Sequence, residues 1–292
     1  MGDITIIRRE VDPNHRLSLL DEIYVERGSN EDWAQLHELH YKAENLAAGP
    51  EYWRACFRGK LVGVGVLTNP QFLSAGRNEL FPHMKPNQNG KDSRVINEFR
   101  GKEMNRLFRC NSRLVVDTTY RGAGIAYRLQ NLMMRMSGAD VIEFQSAMSK
   151  FNPFAAKAGI KFVAPRRSPN YEKGLAWFRR WFDSHPTDKV AIMQELDAMP
   201  AAVRKKVMAE MRALYYACSA MEKSGDNRAN GTSRVDRLPE AKVLENLQQV
   251  IFATPLYGAY KNPDYGRELP ARVPLLAFDN QPTDEPLDLD KL

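Results

Sequence analysis

Six residues, Arg121-Gly122-Ala123-Gly124-Ile125-Ala126, constrain this chain more than any other stretch. Leu114-Val115-Val116 before them read as the end of a buried strand. After them, Ile125, Leu129, Leu132, Met133 and Met136 mark one face of a helix. A strand that stops, turns on two glycines and restarts as a helix points successive main-chain N–H groups at one spot. The positive end of the helix dipole lies there too. Gly122 and Gly124 let the backbone approach whatever sits there. The turn therefore suits a pyrophosphate, with no lysine required. It is not the dinucleotide fingerprint Gly-x-Gly-x-x-Gly, whose third glycine is missing, nor a P-loop, which needs Gly-Lys-Ser/Thr. A plain tight connection is the bland reading; Val115-Val116, Tyr120 and the amphipathic helix weigh against it.

Around this turn strand and helix patterns alternate. Residues 21–28 alternate apolar and charged like a half-buried strand, and Ser29-Asn30-Glu31-Asp32 supply a helix N-cap with acids in the first turn. Tyr52 to Phe57 and Leu61 to Leu67 predict a hairpin around Arg58-Gly59-Lys60. Val141 to Met148 reads as a strand, Asn152 to Ala158 as a short helix and Ile160 to Ala164 as a further strand. This order predicts an α/β (α+β) fold with a mixed central sheet and flanking helices. Residues 70–106 are polar, dotted with glycine and proline, and too long for an idle connection; they predict a substrate-facing loop or a disordered excursion.

Past Pro165 the character turns helical, with an aromatic and basic run from Tyr171 to Phe182. Pro200 then opens a long helix striped by Val203, Val207, Met211, Leu214, Cys218 and Met221. After a polar linker over 224–238, Val250 to Tyr260 reads as a strand that returns to complete a seven-stranded sheet. The expected organisation is a catalytic domain over 1–165 and a helical insertion over 166–249 near the C-terminus. The last sheet strand follows over 250–262, and then an acidic, proline-containing tail over 263–292, expected to be mobile.

Bulk properties narrow the class. Apolar residues make up 43% of the 292, and no apolar run nears the roughly 18 residues of a membrane span. The first ten residues lack the apolar stretch of a signal peptide. Cys56, Cys110 and Cys218 are far apart, without metal-ligand spacing, and suit a reducing compartment. A cytoplasmic enzyme is the expectation. The net charge is +6 although Asp279, Asp284, Glu285, Asp288 and Asp290 crowd the last residues, so the body carries roughly +10. That balance fits a polyanionic partner such as nucleic acid, or simply a solvated basic surface.

On these residues the chain resembles the GNAT acetyltransferase superfamily over roughly 20–165. Leu114 through Ala126 is similar to its motif A, and Asn152-Pro153-Phe154-Ala155-Ala156-Lys157-Ala158-Gly159-Ile160-Lys161-Phe162 to its motif B. One branch is closer. Arg27-Gly28-Ser29 through Asp32, His40-Tyr41, and Phe151-Asn152-Pro153-Phe154 with Ala158-Gly159 resemble the bacteriophage Mom-type adenine-modification proteins and the acetyltransferase-like modules fused to ABC-type ATPases. The resemblance implies a GNAT-type sheet and acetyl-CoA, or a related acyl-CoA, as cofactor. Val115 and Val116 would present main-chain groups to the pantetheine arm. Arg121, Gly122, Ala123, Gly124, Ile125 and Ala126 would bind its pyrophosphate, and Asn152 would touch the arm. It also implies double-stranded DNA as partner, with a carbamoylmethyl group attached to adenine N6.

Relatives often carry a motif B tyrosine that protonates the leaving thiolate, whereas here Phe154 stands and no tyrosine lies between 128 and 170. The catalytic candidates are His40, Tyr41 and Glu143. His40 titrates near neutral pH, against the alternative of a hydrogen-bonded core histidine on the Trp33 face. Tyr41 donates a proton if its pKa falls. Glu143, between Ile142 and Phe144, is either functional or held in a salt bridge. Asp117 reads as structural. His37 and His40 could share a metal but lack an evident third ligand. Trp177 to Phe182 offers a base-stacking surface or a packed helix, and Arg94, Arg100, Lys102, Arg106, Arg109 and Arg113 could flank a phosphate backbone. Two rival functions remain: a conventional N-acetyltransferase of a protein, RNA or small amine, and a non-enzymatic acyl-CoA or nucleic-acid-binding module.

Overall fold

The computed structural model describes residues 18–40, 46–87, 90–146, 149, 152–163, 169–219, 221–223, 227, 229–252 and 255–292. It divides into two units, Met1–Val163 with Tyr257–Leu292, and Ala164–Leu256. In chain order, the first unit begins with β1 (Ile23–Arg27), α1 (Asn30–Leu36), β2 (Glu51–Phe57), β3 (Lys60–Thr68), α2 (Ala75–Leu80), α3 (Ser93–Leu107) and β4 (Phe108–Val116). It continues through α4 (Ile125–Met136), β5 (Val141–Ser146), α5 (Phe154–Lys157) and β6 (Lys161–Phe162). The second unit holds α6 (Pro169–Trp181), α7 (Lys189–Ala198), α8 (Ala201–Cys218), α9 (Ser233–Arg237) and α10 (Glu240–Phe252). The chain then adds β7 (Leu256–Lys261) and β8 (Arg272–Pro274) to the sheet of the first.

The sheet runs β6-β7-β5-β4-β3-β2-β1-β8. Strands β1 to β4 pair antiparallel, β8 joins β1 antiparallel, and β4 and β5 run parallel. This is the mixed α/β sheet with flanking helices that the sequence predicts, with an eighth strand added. Local chemistry sets the pieces. Asp32 N–H donates to Ser29 Oγ at 3.4 Å and Ser29 N–H to the Asp32 carboxylate at 2.8 Å, a reciprocal cap that starts α1. Arg58-Gly59, both at positive φ, close the β2–β3 hairpin. Both faces of β3 are covered. Val64 and Val66 pack with Trp33 and Leu36 of α1, and Gly65 faces α4, where an added Cβ would stand 2.2 Å from Met133 Sδ. Ile125, Leu129, Leu132 and Met133 bury fully beneath α4, each worth about 1.5–3 kcal/mol.

Three expectations change. Residues 70–106 are not an irregular loop but carry α2 and α3. Ser74 caps α2, and α3 buries only Met104, so its helical period is nearly invisible in hydropathy. Val250 to Phe252 belong to α10, whose face Val243, Leu244, Leu247 and Ile251 recurs at helical spacing, so the strand begins at Leu256. The acidic tail is folded. Val273, Leu275, Ala277 and Leu287 join the core under α4, and buried Arg135 gathers the segment around itself. Its guanidinium donates to Asp264 at 2.6 Å and to the carbonyls of Glu285 at 2.8 Å and of Pro282 and Thr283 at 3.2 Å. Tyr260 donates to the Thr283 carbonyl at 2.9 Å, and burial pushes its phenol up to about 12. Acids and prolines made this segment look solvated, yet two arginines of α4 hold it, Arg135 through Asp264 and three carbonyls and Arg128 through Asp279.

The second unit has its own core, in which Phe178, Ile192, Leu196, Val207, Met211 and Leu247 are fully buried. Among the described residues no helix is long and apolar enough to cross a membrane. Arg135→Met leaves the buried Asp264 carboxylate with Arg267 and the Leu287 N–H, both on Oδ1, and strips three tail carbonyls of their donor. A loss of about 3–5 kcal/mol in denaturant unfolding is expected.

Candidate functional site

Strand β4 pairs with β5 only from Phe108↔Val141 to Asn111↔Phe144. At that point Ser112 is an extra residue in β4, because Arg113 still pairs with Val66 while Asn111 pairs with Leu67. A bulge bends its strand, and this one falls where β4 leaves β5. Residues 113–116 then keep their hydrogen bonds to β3 on one edge. Main-chain groups in a strand alternate between its two edges, so the rest face the space that β5 vacates. That space is a cleft of about 390 Å³ lined by Asn111 to Val116, by Phe144, Gln145 and Ser146 of β5, and by Leu39, His40, Arg121, Ala126, Asn152 and Phe154. Of the expected cofactor residues, Val115, Val116, Arg121, Ala126 and Asn152 meet there.

The turn at the cleft's end has the geometry of an anion cradle. Gly122 and Gly124 stand at φ +86° and +84°, and Gly124 is the N-cap of α4. The first-turn N–H groups of Ile125 and Ala126 have no intrahelical acceptor. Arg121 Nε donates to the Val116 carbonyl at 3.1 Å, tying the turn to the strand end. Arg128 braces it from behind, with Nη1 donating to the Gly124 carbonyl at 3.0 Å and Nε to Asp279 at 3.1 Å. Asp117 accepts the Thr119 N–H at 2.8 Å, which holds its carboxyl below the usual range and closes the 3-10 turn before Arg121.

The catalytic candidates separate. His40 follows the 3-10 turn His37–Leu39 in extended conformation and lines the cleft, its ring 6.2 Å from Trp33 in an edge arrangement. Among the described residues of the lining it is the one imidazole, the ring type suited to general-acid or general-base work. His37 bonds the Ala34 carbonyl through Nδ1 at 2.8 Å, and no group of three His, Cys, Asp or Glu suited to a metal occurs among the described residues. Tyr41 and Phe151 lie outside the described residues. Glu143 is not a cleft residue. It is buried, with Arg77 Nε at 2.6 Å and Nη2 at 2.8 Å on its two oxygens and Tyr257 donating a third bond. Burial, then the Glu143 charge, lifts the Tyr257 phenol far above its ordinary value. The salt-bridge alternative describes Glu143, because β5 turns it toward α2 and β7 while Phe144 faces the cleft.

Asn152 Oδ1 accepts the Phe154 N–H at 3.1 Å, starting α5, and Phe154 meets Phe144 edge-on at 5.9 Å. Phe144 and Phe154 thus give this part of the lining an apolar edge. Sequence reading passed over Asn111, Ser112, Arg128 and Asp279. The signal for the first two was the polar pair inside an otherwise strand-like run, which marks the bulge. Of the basic residues near β4, Lys102, Arg106 and Arg109 pair with Glu98, Glu103 and Glu51, and Arg113 lines the cleft. In the second unit Phe178 and Phe182 are core, and Trp177 and Trp181 both donate to Glu210, at 3.1 and 2.9 Å. The aromatic run packs among the helices of its own unit.

No family model matches the chain, and no curated protein matches it. Among solved structures it is similar to the apo form of an agmatine N-acetyltransferase mutant, at 14% identity and a TM-score of 0.31, over 50% of this chain and 86% of that one. A side chain on Gly124 meets two obstacles, the positive φ and a Cβ 2.6 Å from Arg128 Nη1, whereas Gly122 meets only the first. Gly124→Ala is expected to cost more than Gly122→Ala, which should lose about 1–2 kcal/mol, when melting is followed by calorimetry.

Proposed function

We propose that this chain is a group transferase that seats an acyl-CoA-type donor between β4 and β5 and transfers its acyl-end group to an amine, with adenine N6 of double-stranded DNA as acceptor. The carrying observation is the parting of β4 from β5 at Asn111, which opens a cleft that runs to the glycine turn. An extended pantetheine arm can add to the open edge of β4 as a short strand would, with its pyrophosphate on the N–H groups of the turn. In acyl transfer the acceptor nitrogen attacks the thioester carbon, the C–S bond breaks, and the sulfur leaves as thiolate. One proton must leave the nitrogen and one must reach the sulfur. The first is assigned to His40, and its place in the cleft lining supports that role.

Three features support the DNA reading: the branch resemblance through Arg27 to Asp32, His40-Tyr41 and Phe151 to Phe154, the positive net charge, and the phenylalanine in place of the usual tyrosine. Adenine N6 is a poor nucleophile whose lone pair is drawn into the ring, so an enzyme acting on it must position it and take its proton as bonding develops. In a duplex the base must also be flipped out or approached in the major groove. A carbamoylmethyl product requires an N–CH2 bond, which acyl transfer does not form, so the mass of the adduct separates the two chemistries. A conventional N-acetyltransferase is the second reading. It is favoured by the pairing of Lys102, Arg106 and Arg109 with this chain's own carboxylates, which leaves fewer charges for a phosphate backbone.

Nucleoside mass analysis of plasmid DNA from cells expressing wild type or the Arg121→Glu/Gly124→Glu variant tests the proposal. An adenine adduct is expected with wild type and not with the variant. Unmodified adenine beside soluble wild-type protein that binds acetyl-CoA would move the acceptor to another amine. His40→Ala should lower turnover by about 10²–10⁴-fold with donor binding unchanged; equal turnover would remove His40 from the chemistry.

A further inference from the structure

Asn111 stands where β4 and β5 part. It is the last β4 residue paired with β5, it lies next to the bulge at Ser112, and it lines the cleft at the end away from the glycine turn. The residue is 95% buried, at 5% exposure, and neither Oδ1 nor Nδ2 has a hydrogen-bond partner among the described residues. Folded proteins rarely leave both ends of a buried carboxamide unpaired, because each loses its hydration for nothing in return. Such a group in a cleft wall is a place prepared for a partner that arrives later. Gln130 on α4 is also fully buried and unpartnered, but it is not part of the cleft lining, which makes it a control.

The chemistry and the position both limit the partner. A carboxamide is satisfied by a planar edge that offers one acceptor and one donor, as an amide does. About 17 Å of strand separate Asn111 from Val116, so a pantetheine arm anchored at the turn would bring its thioester end toward Asn111. Resting on the acyl-CoA reading above, we propose that Asn111 is the positioning residue for the acyl end of the donor. Nδ2 donates to a carbonyl there, and Oδ1 accepts from a neighbouring N–H. The carbonyl has two sources, the last amide of the pantetheine arm or the thioester of the transferred group, and of these the amide alone also offers the N–H.

Binding of coenzyme A and of acetyl-CoA to wild type, Asn111→Leu and Gln130→Leu, followed by calorimetric titration and by thermal melting, decides this. Asn111→Leu keeps the volume and removes the unpaired amide, so the unliganded variant is expected to melt no lower than wild type. Its affinity should fall about tenfold or more. Loss for acetyl-CoA alone assigns the carbonyl to the transferred group, and equal loss for both ligands assigns it to the arm. Gln130→Leu should bind both as wild type does. Wild-type affinities in Asn111→Leu, or equal losses in Gln130→Leu, would overturn the assignment. Should Asn111→Leu fail to fold, Asn111→Asp keeps the shape while removing the donor, and the same losses are expected. If wild type itself binds neither ligand, it is the acyl-CoA reading that has failed, and the assignment falls with it.

Discussion

Parallel strands β4 and β5 share a ladder from Phe108 to Asn111 and then separate, so that among the described residues β5 supplies no ladder partner to β4 from Ser112 to Val116. Unpaired main-chain groups inside a sheet are expensive, so a fold keeps such a gap only if its other contacts impose it or a ligand fills it. The bulge at Ser112 bends β4 away from β5, and the turn at Gly122 to Gly124 restarts the chain as α4 over the same opening. The cleft opens at that one departure, and the glycine turn and His40 both meet it. His40 reaches the cleft from the turn after α1, and Asn152 and Phe154 reach it from the start of α5.

Rigidity around the opening comes from two arginines on α4. Arg128 links the Gly124 carbonyl to Asp279, and Arg135 links Asn131 to Asp264 and to the backbone of 282–285. Both bonds hold the C-terminal segment against the helix whose first turn forms the anion cradle. The tail thus acts on the site through the helix, without lining the cleft. Glu143 and Arg77 play a parallel part on β5, fixing α2 against the sheet while Phe144 next along the strand faces the opening.

The legible parts of the fold were those where one residue type carries one local cause. Ser29 with Asp32, Arg58-Gly59, and Gly122 with Gly124 each announce a cap or a turn, and the structure forms each where it was read. The helix α3 was missed because it buries a single side chain, and the start of β7 was misplaced because Val250 to Phe252 are as apolar as a strand. The folded tail was missed because its partners lie 129 and 151 residues away, at Arg135 and Arg128, and no local pattern reports such a distance. Within the site, the turn was readable and the catalytic set less so. Glu143 was flagged correctly as a costly buried acid, but which of its two explanations held depended on Arg77, 66 residues earlier. Asn111 looked like an ordinary polar residue until its neighbours were placed.

Backbone amide exchange, followed with and without coenzyme A by mass spectrometry, measures the central claim at the atoms concerned. Slower exchange confined to residues 112–116 and 122–126 is the predicted result, because the arm would take up the open edge of β4 and the pyrophosphate the N–H groups of the turn. Exchange unchanged in both segments at saturating ligand, or protection appearing only in the helices of 164–256, would contradict it.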